Sequence, residues 1–518
     1  VKLPAPLLFG RSFVPAPTGT EAAEIDRDAI QHLGVPQSVL MENAGRSAAE
    51  LVHLRHPRGR VVVVCGGGNN GGDGIVVART LRNWGREVAV LPVADRGAGD
   101  PLLHHTPVSI LPESDGIPSG TDVLVDAVLG TGLRGAPRER QAHAIRAIRE
   151  SERPVVALDI PSGVDGDSGA VPGEAVRASL TVAFGWPKLG TLLHPGRGYV
   201  GELVAVEIGF PPFPEAWSGG RVITPGWAAL LRPRREAGAH KNQVGSLLLL
   251  AGSPGMAGAA ILAARAALRC GVGLLRIASP PSIREILQTA VPEALVVDCT
   301  SPEALHAGVQ ASAALAAGPG MGTDPEAARA LAAALGAREG RPLVLDADAL
   351  TLAASGGAPG LAELGEGGPL LLTPHPGEMA RITGRPVPEV MADRPGAARE
   401  GAARFHATLL LKGDPSLVAS PGGALLVSSA GSTDLATAGM GDVLTGAAGA
   451  FLAQGGGVEA AAALALHHTG TAALQAGLGP SLSPEDVVAG LPGALAEEGD
   501  GNAMGLPPFV TFRQGPPR

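Results

Sequence analysis

A strand–helix alternation begins twice along this chain, and each time it contains a glycine-rich loop. The first alternation has short apolar runs at 60–65, 87–92, 122–128, 154–158, 180–184 and 203–208, with helical stretches such as 74–84 and 138–151 between them. Runs of this length without polar alternation read as strands buried on both faces, and the rhythm is that of a doubly wound parallel sheet. Residues 20–54 read as two helices before the sheet, with Thr20 the expected N-cap of the first. The second alternation starts at Gly245. It ends in strands at 408–412, 417–419 and 424–427, a glycine loop, and closing helices at 441–454 and 458–475. At 518 residues the chain exceeds one ordinary core, so two α/β domains are expected. The Pro/Gly-rich segment 211–220 is the expected linker, giving domains at 1–212 and 221–518, with 501–518 a mobile tail.

Composition narrows the function. The chain is 45% hydrophobic and 17% charged, which is globular, and its aromatic content of 3% leaves Ala, Val and Leu to build the cores. A net charge of −9 argues against a nucleic-acid or membrane-surface binder. Residues 1–20 lack the charged and apolar blocks of a signal peptide, so a cytoplasmic enzyme is expected. The stretch 460–483 has no charged side chain, but His467, His468, Gln475 and several glycines interrupt it; a buried helix is expected there. Cys65, Cys270 and Cys299 fit neither a zinc site nor a disulfide framework. Of 40 basic residues only Lys2, Lys188, Lys241 and Lys412 are lysine. Where arginine is the default cation, a retained lysine points to a need for a compact ammonium.

Ligands of open α/β sheets bind at the carboxyl ends of the strands. In the first half those ends carry Gly66-Gly-Gly-Asn-Asn-Gly-Gly-Asp73, Asp126-Ala-Val-Leu-Gly-Thr-Gly-Leu-Arg-Gly135, Asp159-Ile-Pro-Ser-Gly163 and Trp186-Pro-Lys188. One Asp after a strand is ordinarily a helix cap; four polar ends converging on one crevice make a ligand site. Gly66-x-Gly68-x-x-Gly71 matches the dinucleotide fingerprint, and Asp95 lies near the ribose-binding position, so a dehydrogenase is one reading. The Asn pair is unusual for a pyrophosphate loop, and Asn, Asp and carbonyl oxygens suit a hard cation.

Leu40-Met-Glu-Asn-Ala-Gly45, Gly68-Asn-Asn-Gly-Gly-Asp-Gly74, Val125-Asp-Ala-Val-Leu-Gly-Thr-Gly-Leu133 and Asp159-Ile-Pro-Ser-Gly-Val-Asp165 together resemble the NAD(P)H-hydrate epimerase family over about residues 20–209. The resemblance implies a Rossmann-like domain that interconverts R and S forms of hydrated NADH and NADPH. It implies substrate contacts at Asn69, Asn70, Gly71, Gly72, Asp73, Gly130, Thr131, Gly132, Leu133, Arg134, Gly135, Ala136 and Asp159. It also implies potassium (K+) near Asn70, Asp126 and Ser162, with Asp159 handling the proton and Lys188 as second candidate.

In the second half, Gly439-Met-Gly-Asp442 precedes an apolar helix. Its N–H groups can form an anion hole, and its Asp can deprotonate a hydroxyl that attacks a phosphoryl group; the plain alternative is an Asp N-cap. No Gly-Lys pair occurs, which excludes a P-loop. With Lys241-Asn-Gln-Val-Gly-Ser246, Gly255-Met-Ala-Gly-Ala-Ala260, Gly318-Pro-Gly-Met-Gly322, Leu345-Asp-Ala-Asp-Ala-Leu350, Thr373-Pro-His-Pro-Gly-Glu-Met379 and Leu411-Lys-Gly-Asp414, it resembles the NAD(P)H-hydrate dehydratase family, a ribokinase-like fold, over about residues 239–495. The resemblance implies dehydration of the S-hydrate at the expense of ADP, with magnesium (Mg2+). It implies hydrate contacts at Ala259, Gly322, Thr373, Pro374, His375, Pro376, Gly377, Glu378, Met379 and Asp442, with Asp442 catalytic. It implies nucleotide contacts at Lys412, Gly413, Asp414, Pro415, Ser416, Ser432, Thr433, Asp434, Leu435, Ala436, Thr437, Ala438, Gly439, Met440 and Gly441. The segment from Gly431 to Gly439 lacks the Asn-Pro pair frequent in that family. The expected partners are thus small molecules, hydrated NADH and NADPH and ADP, in a homo-oligomer without nucleic acid or membrane. Two other readings remain: a small-molecule kinase fused to a Rossmann reductase, and a non-catalytic epimerase-like binding module.

Overall fold

A computed structural model describes residues 13–94, 102, 108–211, 217, 219–235, 238, 244–496 and 509–512. Asp95, Lys2, Lys241, most of the 211–220 linker and most of the 501–518 tail lie outside the described residues. The chain divides into two compact units, Val1–Arg221 with Asn502–Arg518, and Val222–Gly501.

The sheet of the first unit runs in the order Phe509–Phe512, Glu202–Val206, Leu180–Phe184, Val155–Leu158, Val123–Ala127, Val61–Cys65, Val88–Pro92 and Ser109–Ile110. Every pairing is parallel except that of Phe509–Phe512 with Glu202–Val206. The expected tail therefore supplies an edge strand to the first unit, and the single cut between 212 and 221 does not separate the two units. Val61–Cys65 is buried throughout, as a central parallel strand covered on both faces must be. Strand order reverses between Val61–Cys65 and Val123–Ala127, which opens a crevice at their carboxyl ends.

In the second unit, parallel strands run in the order Thr408–Leu411, Leu370–Leu372, Leu343–Leu345, Ala314–Ala317, Ser246–Leu250, Leu274–Ser279 and Leu295–Asp298. Leu417–Ala419 and Leu425–Ser428 extend the sheet antiparallel beyond Thr408–Leu411. Here the reversal lies between Ser246–Leu250 and Ala314–Ala317. Helix Met440–Ala453 is buried from Val443 to its end and packs on helix Ala257–Arg269. A Cβ at Gly446 would lie 2.0 Å from the Ala263 carbonyl oxygen, so only glycine permits this approach. The expected closing helices are followed by one more, Pro484–Ala496.

Two local expectations change. The first helix, Gly19–Gln31, is capped by Thr18 and not Thr20: Thr18 Oγ1 accepts from Glu21 N, and the Glu21 carboxylate accepts from Thr18 N, a capping box. The helix after the first glycine loop begins at Asn69 and not Gly74, so Asn69–Asp73 form its first turn.

Most of the charge-free stretch lies in helix Val458–Ala476, with Ala461 to Gly470 buried; no described helix is long and apolar enough to cross a membrane. His467 Nδ1 and His468 Nε2 are buried without a partner among the described residues. Burial pushes His467 down from 6.5 to about 4, and burial with the neighbouring His467 pushes His468 to about 3. The unfolded chain therefore takes up protons first as pH falls. The stability that neutral imidazoles allow is complete above pH 6.5 and is lost as pH falls from there to about 4 for His467 and about 3 for His468. At ~1.4 kcal/mol per pH unit the loss from His467 alone is on the order of 3 kcal/mol. Asp126 and Asp442, lifted to about 6, act in the opposite sense over the same range, so the histidines are read from the difference in denaturant midpoint between wild type and His467→Leu/His468→Leu. That difference should shift against the wild type as pH falls from 7 to 4; a pH-independent difference would contradict the assignment.

Two candidate active sites

The first site grows from the crevice between Val61–Cys65 and Val123–Ala127. A Cβ at Gly71 would meet the Gly66 carbonyl oxygen at 1.9 Å, so glycine is required where the loop folds onto the helix start. The first turn closes where Gly72 N donates to the Gly68 carbonyl at 3.2 Å, and the helix N-terminus it forms favours negative charge at the crevice. A cavity of about 520 Å³ opens there. Among its lining are Asn69, Asn70, Asp73, Gly130, Thr131, Gly132, Leu133, Asp159 and Lys188. Gly71 and Gly72 are buried in the helix start, and Arg134, Gly135 and Ala136 are exposed; none of these five lines the cavity. Arg134 instead donates to Thr20 Oγ1 at 3.0 Å.

Asp159 follows Val155–Leu158 with φ of 66°, a left-handed conformation that a non-glycine residue adopts at a cost of ~1–3 kcal/mol and that concentrates at functional sites. Its Oδ1 accepts from Lys188 Nζ and from Phe184 N, and Lys188 Nζ also donates to the Phe184 carbonyl at 2.9 Å. The lysine is 3% exposed, so its charge is balanced inside the protein by Asp159. Trp186 and Phe210 stack at 4.8 Å in the same wall and give the cavity a flat aromatic side.

Asp126, Ser162 and Asn70 form a separate knot. Asp126 Oδ1 accepts from Ser162 Oγ at 2.6 Å, and Oδ2 from Ser162 N at 2.8 Å. Complete burial lifts its carboxyl to about 6, against the lowering effect of the Ser162 and Val128 hydrogen bonds. Asn70 Nδ2 donates to the Leu129 carbonyl at 2.8 Å, while its Oδ1 is buried with no partner among the described residues. An orphaned amide oxygen beside a buried carboxylate and a hydroxyl oxygen fits a hard monovalent cation.

The second site lies where Leu343–Leu345, Leu370–Leu372 and Thr408–Leu411 end side by side, bringing out Asp346, Thr373 and Lys412. Asp346, 1% exposed, accepts from Lys412 Nζ and from Thr445 Oγ1, both at 2.7 Å. The Glu378 carboxylate is 3.8 Å from the same ammonium. Burial alone would depress Lys412, but Asp346, Glu378 and Asp442 together hold its pKa above the usual lysine value. Gly322 N donates to Asp348 Oδ2 at 2.9 Å, and Ala259 packs at Gly320. The expected hydrate contacts thus come from the two connections at the strand-order reversal: Ala259 from the first turn of helix Ala257–Arg269 and Gly322 from the loop after Ala314–Ala317.

Asp442 stands in the first turn of Met440–Ala453, whose cap is Gly439, and it makes no capping bond. Burial first, then the charges of Asp346 and Asp348, lift its carboxyl to about 6, with Lys412 opposing. His375, by contrast, caps helix Pro376–Thr383: Nδ1 accepts from Gly377 N at 3.0 Å and from Glu378 N at 3.4 Å. Arg394, a residue the sequence did not single out, donates to the Asp414 and Pro415 carbonyls at 3.0 and 2.6 Å and shapes the loop from Lys412 to Ser416. Ser432 opens the turn Thr433–Leu435, accepting from Asp434 N, and Thr433, Ala436, Thr437 and Ala438 are exposed. Among the described residues no three His, Cys, Asp or Glu side chains are grouped to hold a metal alone.

Asp346, Asp348 and Thr445 carried no assigned role in the sequence reading. Asp346 and Asp348 lie within Leu345-Asp-Ala-Asp-Ala-Leu350; the signal that pointed toward Asp346 was the retained Lys412, which needs a buried counter-charge.

Comparison with known proteins agrees with this division. Residues 247–488 match the family model of NAD(P)H-hydrate dehydratase, and 37–190 that of the YjeF-related protein N-terminus. The bifunctional NAD(P)H-hydrate repair enzyme of Salinibacter ruber is 35% identical over 505 residues, 90% of this chain and 92% of that one. The Moorella thermoacetica enzyme of the same name is 38% identical over 438 residues, 78% of this chain and 82% of its own. The ADP/ATP-dependent NAD(P)H-hydrate dehydratase of Bacillus subtilis, co-crystallised with ATP/Mg2+, is 30% identical and aligns over 52% of this chain and 96% of its own, with a TM-score of 0.45. With family models on both units and relatives along most of its length, the chain belongs to the bifunctional NAD(P)H-hydrate repair enzymes.

Proposed function

We propose that the first unit interconverts the R and S forms of hydrated NADH and NADPH, and that the second dehydrates the S form with ADP, releasing AMP and phosphate. The observation that carries the second half is the state of Asp442: a first-turn carboxyl, not used as a cap, lifted to about 6 beside Asp346 and Lys412. Such a group can take the proton of the hydrate hydroxyl as its oxygen attacks the terminal phosphoryl group. The resulting phosphate is a far better leaving group than hydroxide, so its departure completes the dehydration. Lys412 and the N–H groups at the helix start would receive the phosphate charge. Since no three His, Cys, Asp or Glu side chains among the described residues are grouped to hold a metal alone, magnesium fits as an ion carried on the nucleotide phosphates, whose charge it would neutralise.

In the first unit, Asp159 is the proton acceptor and Lys188 its counter-charge. Asn70, Asp126 and Ser162 hold potassium, supported by the orphaned Asn70 oxygen. Both halves work on small molecules, and the polar knots built into each site weigh against a non-catalytic module. A kinase would instead leave a phosphorylated product.

The test is twofold. S-hydrate and ADP should yield inorganic phosphate in step with restored NADH absorbance; an accumulating phosphorylated hydrate would favour the kinase reading. Epimerisation should fall at least tenfold when sodium replaces potassium, with dehydration of the S form unchanged; equal epimerisation in both salts would remove potassium from the account.

A further inference from the structure

The cavity of the first unit contains a titratable group that the account above does not use. Helix Gly19–Gln31 is fixed at its start by the Thr18–Glu21 capping box and by Thr20, whose N and Oγ1 donate to Asp167 at 2.7 and 2.6 Å. Ala22 and Asp26, one helical turn apart, both line the cavity. The ionisable side chains in that lining are Asp26, Asp73, Asp159 and Lys188. Asp159 and Lys188 are bonded to each other. Asp26 is half-buried and makes no hydrogen bond or ion pair among the described residues. A half-buried carboxyl with no bonding partner among the described residues, in a cavity that also holds Asp73 and Asp159, is placed to meet a substrate.

We propose that Asp26 is the second acid–base group of the epimerisation, giving a proton to the substrate hydroxyl while Asp159 receives one. This rests on reading the cavity as the epimerase site. Hydration of an enamine places the hydroxyl on the carbon next to nitrogen. Protonation of that hydroxyl by the Asp26 carboxyl lets the C–O bond break to give water, with the cation stabilised by the nitrogen lone pair. Water then adds to the other face of the planar carbon and loses a proton to the Asp159 carboxylate. Transfer of that proton from Asp159 back to Asp26 restores the enzyme, and no atom or electron is gained or lost.

Two identical carboxyls serve as acid and base only if their surroundings differ. Asp159 has the Lys188 ammonium bonded to it. Asp26 has none: burial, then the Asp159 charge, raise its pKa, with Lys188 opposing. The other charged groups near it are Asp73 in the cavity, Glu21 in the capping box, Glu24, Arg27 and Asp28 on the exposed side of its helix, and Arg134 and Asp167 on Thr20.

The experiment uses the full-length protein and follows conversion of pure R-hydrate to S-hydrate without ADP. Asp26→Asn should lower kcat by at least ~10²-fold with little change in KM, in keeping with loss of a general acid. Wild-type epimerisation should decline on the alkaline side as the acid deprotonates, and the Asn variant should lack that limb. Asp26→Glu should recover part of the rate with the limb displaced, and carries the test if the Asn variant does not fold. An Asn variant within threefold of wild type, a slowed variant with an unchanged pH profile, or a Glu variant with the limb in its original place would overturn the proposal. If wild type itself does not epimerise, the reading of the site fails; if wild type epimerises, Asp159→Asn does not and Asp26→Asn does, only the role of Asp26 fails.

Discussion

Asp442→Asn is expected to abolish dehydration while leaving epimerisation at its wild-type rate. The amide keeps the size of the side chain and cannot accept the hydroxyl proton, and loss of a positioned base costs ~10²–10⁴-fold. Asp442 makes no capping bond, so its replacement should not weaken the helix that carries it. The amide also removes one of the three carboxylates that hold Lys412 protonated, but Asp346 and Glu378 remain, so nucleotide binding should change little. The expected signature is therefore a fall in kcat with KM for ADP nearly unchanged. Dehydration within tenfold of wild type would reject Asp442 as the base.

Asp159→Asn is expected to do the reverse, slowing epimerisation by ~10²–10⁴-fold and sparing dehydration of the S form. It should also weaken the first unit. Lys188 is 3% exposed and its ammonium is bonded to Asp159, so the amide leaves a buried cation without counter-charge, which costs on the order of 3–5 kcal/mol. Adding Lys188→Met should recover most of that stability and none of the activity. Recovery of epimerisation in the double variant would show that the aspartate served the lysine rather than the substrate.

The strands were legible because they are continuous apolar runs: 61–65 and 180–184 are buried residue by residue, as their sequences suggest. The glycine loops were legible as ligand loops because each follows such a run. The start of helix Asn69–Asn83 was not, since Gly-Gly-Asp after two asparagines has poor helix propensity; closure onto Gly66 overrides it. Thr18 against Thr20 was decidable in principle, because only Thr18 has a Glu three residues on. The strand Phe509–Phe512 was invisible because its partner, Glu202–Val206, is remote in sequence and neither segment announces the pairing. The same limit hid Asp26 and Asp346. Their neighbours are set by strand order and helix placement, not by spacing along the chain. Lysine scarcity reached furthest: Lys188 comes to rest buried and Lys412 partly buried, each against a carboxylate.

The central claim is that one chain carries two separate activities that act in sequence on the same substrate. The most direct measurement mixes the two single variants, Asp159→Asn and Asp442→Asn, with pure R-hydrate, ADP, magnesium and potassium, and follows NADH absorbance. Each variant alone should leave NADH formation at the slow rate set by spontaneous epimerisation or below it. The mixture should restore formation to near the wild-type rate, since one protein supplies the S-hydrate that the other consumes. If the mixture is no faster than Asp159→Asn alone, while wild type is fast, the two steps are not independent and the division of labour between the units is wrong.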